Sequence, residues 1–450
     1  MAMYTTQELK DRVCQAIDAR QEEIAAFTEQ VLSNAELGYC ENETSALVQE
    51  QYDRLGIAYE SGLALTGIKA SLVGDAGLGP KVAVIGELDG LPIADHPEAN
   101  PKTGAAHACG HNAQTAMVVA VATGLIEAGL LPELNGEVIC FHVPAEELVD
   151  LEYRQGLKRE GKIRYLVGKP ELIRLGAFDG VDMCMMVHNT GTPADLVLGV
   201  GTTLNGCVMK TIVYRGRGAH AGASPWLGVN ALNAANLAFN AIHARRETFK
   251  DEDAVRIHWI ITKGGAAVNV VPDEVRIEMF VRARTTDALA ASDAAVDLCL
   301  KAGAMATGAE VEIETLPGYM PILPYPELDA VFRENAELLV GRENVSTVPH
   351  KGGSTDLGDL SLIMPAIHPF AGGATGNAHG TTWHAGACEA SVLRPAKAMA
   401  MTVIDLLSGG ASRAQDILAR SRPPMTKDTY LEFLNDMERV ETYKYGGDGA

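Results

Sequence analysis

No stretch of the 450-residue sequence approaches the roughly 18 uninterrupted apolar residues that a membrane helix needs, so a membrane partner is not expected. The opening MAMYTTQELKDR lacks the basic and apolar regions of a secretory signal, and the expected location is cytoplasmic. Paired cysteine spacing is also missing. Cys14, Cys40, Cys109, Cys140, Cys184, Cys207, Cys299 and Cys388 are scattered, mostly in apolar surroundings, and read as reduced thiols, with Cys109 set apart by its neighbours. Positive charge is scarce: 37 Lys and Arg stand against 58 Asp and Glu, a net charge of −21. That balance excludes nucleic acid as the expected partner, because such a binder needs a cationic face to displace counterions. Internal repeats and low-complexity tracts are absent.

What is present is enough apolar sequence, 47% of the chain, for two cores rather than one. Thr5-Thr-Gln-Glu8 has the form of a capping box, and Leu9, Val13, Ile17, Ile24, Phe27 and Val31 follow at roughly helical spacing, predicting an amphipathic helix to about Glu36. Short apolar runs at Val82–Ile85, Val138–Val143 and Met183–Val187 read as buried strands, with helical segments such as Ala113–Ala128 between them. In open α/β sheets ligands sit beyond the carboxyl ends of the strands, so the polar residues ending these runs should converge.

From about Cys207 the order becomes strand, helix, strand, strand, helix, strand, the βαββαβ signature of a ferredoxin-like fold. The fold class expected is therefore α/β: a domain of residues 1–206 and 320–450 with a central sheet flanked by helices, interrupted by a ferredoxin-like domain of residues 207–319. Helices are expected at Leu328–Val340 and Ser391–Leu407. The stretch from about Arg420 reads as a polar helical tail with a frayed, Gly-rich end.

His107-Ala-Cys109-Gly-His111-Asn112 lies between a strand-loop and a helix. A thiolate and an imidazole two residues apart can face one ion; the alternatives are ordinary loop residues or a Cys-His nucleophilic pair. Pro144-Ala-Glu146-Glu147 follows directly on the apolar strand GEVICFHV. One carboxylate can ligate a metal while the other moves protons, the division that metal-assisted hydrolysis requires, although a solvated acidic loop has the same composition. His188 ends the MCMMV run, and His379 lies in AGGATGNAHGTTWHAG with His384 as its competitor. Taken singly, each of these histidines reads as structural. Together, Cys109, His111, Glu147, His188 and a late histidine supply five ligands, which suits two ions sharing one of them.

The succession GELDGLP, HACGHN, PAEE, VHN, GRGAHAGASP, GGAAVNVVPD and GSTDLGD closely resembles the M20 family of metallopeptidases over about residues 8 to 410, nearest the branch of p-aminobenzoyl-glutamate hydrolase and the mammalian M20-domain dipeptidase. The resemblance implies a catalytic domain holding two Zn²⁺ or Mn²⁺ ions and an inserted lid that forms a homodimer. On matching positions it implies Cys109, His111, Glu147, His188 and His379 as metal ligands, Glu146 as general base, and Asp89 as an acid orienting a ligand. In the lid it implies His220, reaching across the dimer to the scissile carbonyl, and Asn269 and Arg282, binding the substrate carbonyl and carboxylate. The implied activity is hydrolysis of an amide in a small carboxylate-bearing substrate, such as an N-acyl amino acid or an aminobenzoyl-glutamate-like conjugate. A dipeptidase and a catalytically inactive metal-binding assembly subunit are the alternatives. The sequence departs from the family at Ala94–Ala106, an insertion ADHPEANPKTGAA, and in the spacing after NAHGTTWHAG.

Overall fold

The computed structural model describes residues 4–444 and divides into two compact units. The first comprises the chain to Thr203 with Leu323–His350 and Asp359–Lys427; the second comprises Leu204–Ile322, Lys351–Gly358 and the segment from Asp428. Among the described residues no helix is long and apolar enough to cross a membrane.

The first unit is built on a six-stranded sheet. Four strands run parallel: Asn135–Val143, Gly77–Glu87, Met183–Met185 and Ala366–Ile367, in that spatial order. Gly67–Val73 and Tyr59–Leu63 extend it antiparallel at one side. The helices Thr6–Ala19, Gln21–Ser33, His111–Glu127 and Arg394–Leu407 contribute to one apolar core with Val82, Val84, Val138 and Cys140 of the sheet. His111–Glu127 is buried nearly all round, so its sequence is apolar on every face. The capping box is formed: Thr5 Oγ1 accepts from Glu8 N, and the Glu8 carboxylate accepts from Thr5 N at 2.7 Å. The single helix expected to Glu36 is instead two, because Arg20 leaves helical geometry (φ −110°, ψ 13°) and its side chain pairs with Glu23 and Glu127. The Met183 strand also stops earlier than expected, at Met185; His188–Asn189 belongs to a separate four-stranded sheet and pairs in parallel with Phe370–Ala371. The insertion at Ala94–Ala106 is ordered: Ala105–Ala106 pairs with Leu91–Pro92, and Asn100 and Thr103 both donate to the Ala35 carbonyl.

The second unit follows the expected order, Gly206–Arg215, Ala231–Arg245, Arg256–Lys263, Glu274–Ala283, Thr286–Thr307, Glu310–Tyr319. Its sheet is antiparallel, with the Gly206 strand between those at Glu274 and Glu310. The two helices cover the face presenting Val208, Ile212, Ile277, Val281 and Ile313. The tail departs from expectation. The helix Lys427–Met437 is present, but Arg439–Tyr443 is a fifth strand on Glu310–Tyr319, so the segment from Asp428 groups with the second unit and not with Leu323–His350 and Asp359–Lys427. The reason is electrostatic as well as hydrogen-bonded. Buried Lys210 pairs with Asp293 and Asp297 at 2.6 Å each, and Arg439 closes on the same two carboxylates at 2.5 and 2.6 Å. The Gly-rich end lies outside the described residues.

Candidate metal centre

Parallel pairing of Gly77–Glu87 with Asn135–Val143 sets Glu87 opposite Val143, so both strands open at one edge. Beyond that edge stand Asp89 from the first strand and Glu146 and Glu147 from the second. The turn carrying the two glutamates is strained and braced: Ala145 adopts φ 55°, its N–H donates to buried Glu41 at 2.7 Å, and its carbonyl accepts from Gly168 N at 3.1 Å. Cys109 and His111 flank Gly110, whose φ of 88° a glycine adopts without cost, at the start of the helix His111–Glu127.

Two donor groups form there. Cys109, His111 and His188 bring one ligand atom each to within 4.8 Å of one another, and so do Cys109, Glu147 and His379. Cys109 belongs to both. Its Sγ lies 3.2 Å from His188 Nε2, and Glu147 Oε1 lies 3.3 Å from His379 Nε2. Glu146 is buried and shares a third such group with Glu87 and His111. Asp89 touches both halves: its carbonyl lies 2.8 Å from His111 Nδ1, and its Oδ2 accepts from Glu147 N at 2.9 Å. His188 Nδ1 lies 2.7 Å from the Asn189 carbonyl, which leaves Nε2 turned to the thiol. His384, the competing histidine, is instead 3.2 Å from Glu98.

The electrostatics fit a cation. Glu147 Oε1, Asp89 Oδ1 and His111 Nε2 are buried with ion-pair contacts, to His379, His111 and Glu87 at 3.3, 3.3 and 3.0 Å, but with no well-formed hydrogen bond; two carboxylates and an imidazole held this way are groups that a positive ion would satisfy. Burial opposes charge on His111, yet Glu87 and Asp89 outweigh it and hold the imidazole well above its ordinary range. Burial, then the His111 charge, pushes His188 down to about 4. Burial, reinforced by Glu147, keeps the Cys109 thiol well above its usual value; a nearby cation reverses that preference, since a coordinated thiol is deprotonated. The donor set of thiolate, imidazole and carboxylate suits zinc and its neighbours.

Sequence reasoning missed the residues beneath the site. Glu87 lies 3.0 Å from His111 Nε2 and 2.6 Å from Lys169 Nζ, all three almost unexposed, and Gln114 donates to Glu87 at 3.0 Å. His368 stacks on His188 with ring centres 5.7 Å apart. Glu87 stood in the quoted GELDGLP motif; Lys169 and His368 carried no local signal.

His220, Asn269 and Arg282 lie in the second unit. Exposed His220 accepts at Nδ1 from Gly222 N and Ala223 N, at 3.2 and 3.1 Å, so its neutral ring carries the proton on Nε2. The Asn269 carbonyl accepts from Ala221 N at 2.9 Å, and Arg282 Nη1 donates to Ser354 Oγ at 3.1 Å.

Residues 83–404 match the model of peptidase family M20/M25/M40. The Xaa-Arg dipeptidase of Mus musculus is 30% identical over 427 residues, 89% of each chain. Among solved structures, the Bacillus subtilis YXEP protein, a dinuclear metal binding peptidase from the M20 family, superposes with a TM-score of 0.63 at 21% identity, covering 87% of this chain and 99% of that one. The aminobenzoyl-glutamate utilization protein from Klebsiella pneumoniae gives 0.63 at 18% identity, covering 87% and 97%.

Proposed function

This chain belongs to peptidase family M20/M25/M40 and is a metal-dependent hydrolase; from that premise we propose that it uses two ions, Zn²⁺ or Mn²⁺, to cleave the amide bond of a small carboxylate-bearing substrate, an N-acyl amino acid or an aminobenzoyl-glutamate-like conjugate. The observation that carries the proposal is the pair of donor groups sharing Cys109, with Glu146 beside them. Cys109, His111 and His188 would hold one ion, and Cys109, Glu147 and His379 the other. Such ions supply Lewis acidity to the carbonyl and lower the pKa of water towards about 7.

The protein's own groups do the rest. Asp89 fixes His111 and the Glu147 backbone, keeping ligands oriented. Glu146 takes a proton from the attacking water and returns it to the leaving amine. His220, with its proton on Nε2, donates to the carbonyl oxygen as negative charge develops there. Asn269 binds the substrate carbonyl and Arg282 its carboxylate, for which a guanidinium has matching geometry. His220 acts from the other subunit of a homodimer formed through the second unit.

A dipeptidase is the second reading, favoured by the name of the Mus musculus relative. One experiment covers both: metal content and turnover on a panel of N-acyl amino acids and dipeptides, for wild type and Glu146→Gln. The variant should keep its metal and lose on the order of 10²–10⁴-fold in turnover, the range for a general base. Cys109→Ala should lose metal as well. Full metal and full rate in Glu146→Gln would overturn the assignment, and a metal-loaded wild type that cleaves no amide would overturn the function.

A further inference from the structure

Three arginines and a histidine of the second unit surround one cavity of about 500 Å³: Arg246, Arg256, His258 and Arg282, closed by Ile257 and Gly352. The volume is that of a small-molecule site. The register explains the clustering. Arg256 lies directly opposite Arg282 across antiparallel strands, and His258 opposite Phe280, so these four share the sheet face that the helices leave uncovered. Like charges directly opposite each other destabilise a strand pair. The chain carries 58 acidic residues against 37 basic ones, yet among the described residues none of these arginines forms an ion pair. Arg282 Nη1 donates to Ser354, Arg256 Nη1 to the Val255 carbonyl and Arg246 Nη2 to the Ile257 carbonyl, while Arg282 Nε is buried without a partner. Phe280 holds the Arg282 guanidinium over its ring at 5.6 Å and meets His258 edge-on at 5.7 Å, fixing both side chains. Burial, then the Arg282 and Arg246 charges, lower the His258 pKa. A second cavity, of about 480 Å³, shares Arg246 and Arg256 and adds Lys250, with Asp251 as its one carboxylate.

We propose that Arg246, Arg256 and His258 form, beside Arg282, an anion subsite for the side-chain carboxylate of a dicarboxylic amino acid, so that the substrates are amides of the N-acyl-glutamate or N-acyl-aspartate class. The inference rests on the reading of Arg282 as the residue that binds the substrate carboxylate: that guanidinium takes the α-carboxylate, and the other two arginines face the second charge. A cationic amino-acid half would meet repulsion in the same place.

Calorimetric titration of the full chain with L-glutamate, L-glutamine and L-arginine tests this without hydrolysis. Glutamate and glutamine are nearly the same in shape but only glutamate carries a side-chain charge, and glutamate should bind at least about tenfold tighter, the size of one charge-assisted hydrogen bond. L-arginine should bind weakest. Arg256→Gln and Arg246→Gln should each lower glutamate affinity about tenfold and leave glutamine affinity in place, with unchanged circular dichroism, and Arg256→Lys should recover part of the loss. Equal binding of glutamate and glutamine, or variants that weaken both alike, would overturn the subsite. If glutamate is preferred but no amide is cleaved, the hydrolase reading fails and the subsite stands. If N-acyl-glutamine is cleaved as well as N-acyl-glutamate, the hydrolase stands and the subsite falls.

Discussion

His142 lies in the strand Asn135–Val143, fully buried, with Nε2 2.7 Å from the Tyr52 hydroxyl, and burial pushes its pKa down to about 3. The unfolded chain takes up that proton near 6.5, whereas the folded chain resists it until about 3. The stability this residue contributes is therefore complete above 6.5 and is lost as pH falls towards 3, by up to about 1.4 kcal/mol per pH unit. His142→Gln, which can still accept from Tyr52, should be less stable than wild type at pH 7.5, with the gap narrowing by that slope below about pH 6; urea unfolding at pH 7.5 and 5 measures it. An unchanged gap would mean that packing and not the proton sets the difference. Candidate site residues were legible where donor side chains lay in one short loop, as in HACGHN and PAEE, since spacing along the chain there equals spacing in space. Lys169 was not legible, because its partner Glu87 is 82 positions away and only the fold joins them. A buried pair of this kind contributes little net stability; its place against His111 points to fixing that ring's orientation and charge.

At the scale of elements, the turn Pro144–Glu147 stands against the start of the helix Gly168–Leu175. A Cβ on Gly168 would lie 1.7 Å from the Pro144 carbonyl oxygen, a backbone atom that cannot swing aside. Gly168→Ala should accordingly cost about 1–3 kcal/mol or more by overpacking and should lower turnover by displacing Glu146. Gly156→Ala is the matched control: it sits inside the helix Leu151–Arg159 with only the tip of Arg159 within 4 Å, and should stabilise by about 0.5–1 kcal/mol. Thermal melts and turnover of the two variants separate the contact from the general effect of adding a methyl group. Elements with strong apolar periodicity were readable in kind and order, including all six of the βαββαβ order. The strand Arg439–Tyr443 was not, because RVETY has no apolar run and pairs through backbone and the Arg439 charge. The break at Arg20 was hidden for a related reason: the apolar spacing continues across it while the backbone does not.

For the whole molecule, each unit has its own apolar core, and the five proposed ligands all lie in the first. Chelation should therefore lower the first unit's melting transition and spare the second's, by about 2.7 kcal/mol if metal was present at a hundredfold excess over its dissociation constant. Scanning calorimetry with and without chelator reads this directly, and a uniform shift of both units would place metal-linked stability elsewhere. The same division frames the proposed dimer. His220 lies in the second unit with its Nδ1 tied to backbone N–H groups, so its Nε2 proton is presented outward from an exposed ring. The strand Arg256–Lys263 is an edge of the second unit's sheet and exposes Ile260 and Ile261, an edge that pairing with a second copy would cover. An isologous contact of that kind is the commonest symmetric arrangement. If His220 serves the partner's site, mixing inactive Glu146→Gln subunits with inactive His220→Ala subunits restores activity, because one site in each mixed dimer then has both an intact base and an intact imidazole. Random exchange makes about half the dimers mixed, each with one working site of two, so roughly a quarter of wild-type activity should return when the sites act independently. Homodimers of either variant stay nearly inactive. Labelled subunits report the exchange itself, and exchange without recovered activity would show that His220 acts within its own subunit or that the second unit does not form the interface.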